Sequence, residues 1–170
     1  MSGFIKSFVG CSASLVLFGV MASVGTAVQA HDVDQAPFSG IAGSWSGDGL
    51  IAMSDGTHER IRCRAVYSVP AFPDALNQSL RCASDSYQFD VQSHVQATPD
   101  GVLMGTFSEA VHGVSGDVSG RVAAGHIETS VDALGFSAHL SVSTQGKRQN
   151  VSIRPAGGDV ESVTITMQRI

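Results

Sequence analysis

The stretch "SYQFDVQSHVQA" (86–97) constrains the fold more than any other. Tyr87, Phe89, Val91, Val95 and Ala97 fall on one side of an extended chain. Gln88, Asp90, Gln92, His94 and Gln96 fall on the other. A period of two is that of a strand with one dry and one wet face. "TPDG" (98–101) then supplies turn chemistry. The pattern recurs, and no stretch after residue 30 repeats apolar residues at helical spacing for three turns. The alternation predicts strands near 43–53, 57–68, 78–84, 86–97, 101–110, 115–123, 125–132, 135–144, 148–154 and 160–169. Short turn segments separate them, among them "SDG", "AAG", "ALG", "TQGK" and "PAGGD". The expected fold is all-β: an antiparallel up-and-down meander of 8–10 strands, closed into a small barrel. A β-sandwich is the alternative. The longest connection, "SVPAFPDALN" (68–77), carries two prolines that bar a continuous strand.

The first thirty residues read differently. Lys6 precedes the apolar run Phe8 to Val28, which ends in "VQA" with small residues at Val28 and Ala30. This is the layout of a secretory signal cleaved after Ala30, and Cys11 leaves with it. The expected organisation is a signal peptide (1–30), a flexible leader (31–42) and one β-barrel domain (43–170). The expected location is the bacterial periplasm or the exterior, with no membrane span once the signal is removed. The remainder holds all fifteen acids against Lys147 and eight arginines. A surface so short of cations argues against a nucleic-acid partner.

Two cysteines remain beyond the signal, Cys63 and Cys82. An even pair in an exported chain is expected to form a disulfide. Closing the loop between them is worth roughly 3 kcal/mol in the chain-entropy account. Cys63 sits in "RIRCRAVY" (60–67), among three of the chain's few cations. Alternation puts Ile61, Cys63, Ala65 and Tyr67 on the core side and Arg60, Arg62 and Arg64 on the other. The arginines therefore do not act on the thiol, which would need cations beside the sulfur. If Cys63 opposes Cys82, Arg64 opposes Arg81, and directly opposed like charges destabilise a sheet. An anion is expected nearby. It is either one of the chain's own acids (Asp90, Glu59 or Asp85) or an external carboxylate or phosphate gripped by the arginines. Arg60, Arg62, Arg64 and Arg81 are thus ligand-binding candidates.

"GSWSGDG" (43–49) opens the first strand with Gly43, one residue, then Trp45. A glycine–any–tryptophan unit there resembles the start of the calycin superfamily, the lipocalins and their relatives. The resemblance implies that Trp45 plugs one end of a barrel and packs on an arginine from the last strand, a place that Arg169 fills. It implies an architecture, not a ligand, and the helix that usually follows the barrel in lipocalins is missing. Trp45 and Arg169 join the ligand-binding candidates. The stretches "GSWSGDGLIAMSDGTHERIRCRAVYSV" and "LRCASDSYQFDVQS" also resemble small exported alpha-proteobacterial proteins of uncharacterised function, and that likeness transfers no catalytic residue.

Chemistry finds few footholds. After signal removal His31 is the first residue, and an N-terminal histidine can chelate copper through its amine and ring. No histidine pair has His-x-His spacing to complete such a site. No cofactor is therefore expected, and copper at His31 is the one metal reading to weigh. "GVSGD" (113–117) lacks the spacing and the strand–elbow–helix context of a serine nucleophile. Glu109, Asp117 and Glu128 lie on adjacent predicted strands and in a cleft would make an acid/base pair, though scattered carboxylates on a β-protein are usually a solvated face. The expected function is a non-catalytic cell-envelope protein, not an enzyme, with a small-molecule ligand of apolar or anionic character. The alternative is a protein–protein module, such as a protease inhibitor or an envelope-assembly component, offering the leader or the proline loop to a partner. A hollow interior separates the first from the second.

Overall fold

A computed structural model describes residues 36–72 and 74–170. The expected signal, residues 31–35 and Pro73 lie outside the described residues. The rest is all-β, with ten antiparallel strands. In chain order these are β1 (Gly43–Met53), β2 (His58–Ser68), β3 (Ala75–Ala83), β4 (Gln88–Ala97) and β5 (Val102–Glu109), followed by β6 (Val114–Ala123), β7 (His126–Ala133), β8 (Phe136–Gln145), β9 (Arg148–Pro155) and β10 (Val160–Arg169). Every strand pairs with its neighbour in sequence, and β1 pairs with β10 to close the barrel. Closure leaves no edge strand exposed to intermolecular pairing. This is the expected meander, and the sandwich alternative falls away.

The turns follow from local chemistry. Between β6 and β7 the chain reverses at Ala124 and Gly125, whose φ angles are 47° and 79°. Two successive left-handed residues make the hairpin turn whose twist matches the flanking strands. Gly120 has another reason to be glycine. It faces inward where β7 comes close, and a Cβ there would stand 2.0 Å from the Glu128 carbonyl oxygen.

β2 shows the alternation most cleanly. Ile61, Cys63, Ala65 and Tyr67 are buried, while Arg60, Arg62, Arg64 and Val66 are exposed. Cys63 and Cys82 are directly opposed on β2 and β3 and joined as a disulfide. The bond spans neighbouring strands, so it locks their register.

Two expectations need correction. The third strand starts at Ala75, three residues earlier than the prolines suggested. A turn bonding Ala75 N–H to the Phe72 carbonyl ends the proline loop sooner, and Ala75 and Leu76 then point into the core. The described part of the leader is also packed rather than flexible. Residues 36–41 make a tight turn, with Ser39 N–H donating to Ala36 and Ile41 N–H to Phe38. The turn drives Phe38 and Ile41 into the barrel end, where they are 1% and 0% exposed. Two apolar side chains in a polar segment were the available signal.

Candidate functional site

In an up-and-down barrel all odd-numbered strands point one way, so its two ends are built from different turns. One end carries the start of β1, the end of β10, the β2–β3 connection and the turns at 98–101, 124–125 and 146–147. This end is shut. Trp45 is fully buried beneath Phe38 and Ile41, and its indole N–H donates to the Ile41 carbonyl at 2.9 Å. The Arg169 guanidinium lies over the indole, 4.7 Å from the ring centroid, and bonds the Gly40 carbonyl. The other end, formed by the turns at 54–57, 84–87, 110–113, 134–135 and 156–159, is open. Residues from these turns, including Tyr87, His112, Gly157 and Asp159, line the mouth of an internal cavity.

The cavity measures about 490 Å³, within the range of small-molecule sites. Its wall is overwhelmingly apolar. Leu80, Phe89, Val91, Phe107, Leu140, Val142 and Ile153 face it and keep part of their surface uncovered. The lumen is therefore hollow, not filled. Among the inward small residues, Ala138 lines the cavity and leaves space that a larger side chain would take, whereas Gly47, Gly105, Gly116 and Gly120 let a neighbouring strand come too close for a Cβ. Each wall position follows from the strand alternation. No lysine or arginine lines the lumen among the described residues.

Three buried polar side chains occur among the described residues: Glu109, Thr129 and Gln149. Gln149 lies near the closed end. Its Oε1 accepts from the Tyr67 hydroxyl at 3.1 Å, and its Nε2 donates to Thr144 at 3.1 Å. Burial pushes the Tyr67 phenol up, against the smaller opposing effect of Gln149. Glu109 sits at the mouth and accepts four N–H groups: those of Asp90 (2.9 Å), Val111 (3.0 Å) and His112 (2.7 Å), and His112 Nδ1 (2.8 Å). Burial raises the Glu109 pKa, but the four donors outweigh it and bring it down to about 2. Glu109 is thus ionised, so His112 Nδ1 carries the proton it donates. Thr129 is 7% exposed and lines the lumen wall, and its hydroxyl bonds no described residue. Sequence reasoning passed over it. The file Ile127–Thr129–Val131 in β7 was the signal: one hydroxyl among inward apolar residues.

The arginine candidates lie elsewhere. Arg60, Arg62, Arg64 and Arg81 are exposed on the outer wall, and none reaches the lumen. Arg64 does oppose Arg81. Asp90, opposite Arg81 on β4, holds the Arg81 guanidinium at 3.0 Å. Asp48 approaches Arg62 at 3.6 Å. Of the other two acids considered, Glu59 instead accepts the Ser86 N–H at 2.6 Å. Arg60 and Arg64 make no ion pair among the described residues. Trp45 and Arg169 belong to the closed end; they seal the barrel rather than line the lumen.

The carboxylates do not converge. Glu109 faces the mouth, while Asp117 and Glu128 belong to the outer face. Glu128 is bracketed by His126 at 2.7 Å and His139 at 2.8 Å. A hydrogen bond from Ser141, ahead of those from the two histidines, keeps it low. No cluster of three metal-ligating side chains suited to a metal ion occurs among the described residues. His31 lies outside them.

No protein-family model matches this chain, and no curated protein sequence matches it. Solved structures share its shape. Rv2717c from M. tuberculosis superposes with a TM-score of 0.63 at 12% identity, over 78% of this chain and 94% of the other. The S-type phycobiliprotein lyase CPES from Guillardia theta gives a TM-score of 0.53 at 12% identity, over 78% and 90%. At such identity the likeness is one of fold.

Proposed function

We propose that this protein is an exported, non-catalytic binder that holds a small apolar molecule inside its barrel. The observation that carries the reading is the hollow lumen: about 490 Å³, sealed at one end, open at the other and walled by aliphatic and aromatic side chains. Burying such a molecule there gains about 25 cal/mol per Å² of apolar surface removed from water. An anion is a poor fit, because the wall offers no cation to offset its desolvation. That favours the apolar over the anionic ligand, and the carrier over the interaction module, whose interior would be filled.

Export is supported by the Cys63–Cys82 bond, since disulfides persist in oxidising compartments. Among the described residues no helix is long and apolar enough to cross a membrane. A barrel of this shape also serves the Guillardia theta protein, which is described as a lyase. Against catalysis here stands the bonding of the lumen's one carboxylate below the mouth turns and of its serine. Glu109 is occupied by four donors, and Ser93 donates to Gln78 at 2.9 Å.

Titration with N-phenyl-1-naphthylamine, a neutral dye that brightens in apolar surroundings, tests the reading. The protein is expected to bind it saturably, and Leu140→Trp, which fills the lumen, to abolish binding while circular dichroism stays that of the native barrel. No saturable binding, or binding unchanged in the folded Leu140→Trp protein, overturns it.

A further inference from the structure

We infer that the ligand carries an uncharged oxygen and that Thr129 is the group that recognises it. The inference rests on the proposed apolar-ligand reading and adds a chemical class: a neutral alcohol or carbonyl compound with an apolar body.

The argument is one of hydrogen-bond accounting. Two of the three buried polar side chains are partnered by the protein itself: Gln149 at both its oxygen and its nitrogen, by Tyr67 and Thr144, and Glu109 by its four donors. Thr129 is bonded to no described side chain or backbone group through its hydroxyl. Arg169 Nε is the one side-chain nitrogen or oxygen sealed from solvent without a hydrogen-bond partner among the described residues. The Thr129 hydroxyl is therefore not sealed, and the only space beside it is the lumen, whose wall it forms. Its strand neighbours on that face, Ile127 and Val131, are apolar, and so is Leu140 directly across on β8. On its own strand and directly across it the hydroxyl is thus surrounded by apolar wall, while the lumen's neutral polar side chains on β3 and β4, Gln78 and Ser93, are bonded to each other.

A hydrocarbon that filled the lumen would strip this hydroxyl of water and leave it unpaired, a net cost. A ligand oxygen placed against it gives the bond back, as donor or acceptor, because a threonine hydroxyl can be either. A carboxylate or phosphate oxygen would also reach it, but would bring an uncompensated charge into a lumen without cations. Recognition by one neutral polar point within an apolar wall is the usual division of labour in such pockets.

The test is dye displacement by 1-decanol, decane and decanoate, on the native protein and on Thr129→Val and Thr129→Ser. For the native protein, decanol is expected to displace the dye at a concentration at least tenfold below decanoate. Thr129→Val removes the hydroxyl at nearly constant volume. It is expected to weaken decanol about tenfold and to strengthen decane, two changes of opposite sign that a packing defect would not produce. Thr129→Ser is expected to keep the native preference. Decanol affinity unchanged in Thr129→Val, a parallel loss of decanol and decane, or decanoate binding as tightly as decanol overturns the inference while leaving an apolar lumen intact. If the dye itself does not bind the native protein, the underlying reading fails first.

Discussion

Arg169, the last residue of β10, covers the Trp45 indole near the start of β1, with 4.7 Å between its guanidinium carbon and the ring centroid. The contact ties the two strands whose pairing closes the barrel, and it lies under the turn that holds Phe38 and Ile41. A desolvated cation–π contact is worth up to about 2 kcal/mol. Arg169→Ala is expected to cost about that much in a urea titration. Trp45 is the sole tryptophan, so its emission should also shift to the red as the closed end admits water. Unchanged emission with unchanged stability would show that the arginine merely rests there.

The disulfide joins directly opposed residues, 19 apart in sequence. Its removal as the Cys63→Ala/Cys82→Ala double variant is expected to lower stability by roughly 3 kcal/mol. The β2–β3 pairing survives because its ladder continues on both sides, so circular dichroism should be unchanged below the transition.

Glu109 links stability to acid. Its folded pKa of about 2 lies below the ordinary 4.5. A depressed carboxylate stabilises the fold fully above the unfolded value and loses that contribution as pH falls through the folded one. The barrel is therefore expected to lose up to about 3 kcal/mol between pH 4.5 and pH 2 from this group. In Glu109→Gln, denaturant midpoints measured across that window should show a much flatter pH dependence. They should also be lower near neutrality, because an amide cannot accept all four donors.

Ala124 holds a left-handed conformation, at φ 47°. A residue with a Cβ pays roughly 1 kcal/mol there. Ala124→Gly or Ala124→Asn is expected to raise the melting temperature by a few degrees, the shift that corresponds to about 1 kcal/mol in a domain of this size.

The outer arginines should separate by sign. Arg81 has Asp90 at 3.0 Å, whereas Arg64 faces only the like charge of Arg81 and Ser46 across the sheet. Arg81→Gln is expected to destabilise and Arg64→Gln to stabilise, each by less than about 1 kcal/mol for exposed groups. Added phosphate that protects the native protein from heat but not Arg64→Gln would point instead to an external anion at this face.

What the chain declared by itself was everything local. The alternation in β2 and β4 set which side chains face inward, glycine-bearing turns set where each strand ends, and the opposition of Cys63 to Cys82 set one register. These features need only near neighbours, so residue order reveals them. Tertiary structure alone decided the rest. Whether ten strands enclose space depends on the sum of all wall residues and on how far the barrel opens, not on any one strand. The same is true of Phe38 and Ile41 as the seal, of Asp90 rather than a ligand as the partner of Arg81, and of Thr129 as the hydroxyl left over after Glu109 and Gln149 had found theirs. A hydrogen-bond balance is a property of the closed assembly, because partners far apart in sequence meet only once the barrel has shut.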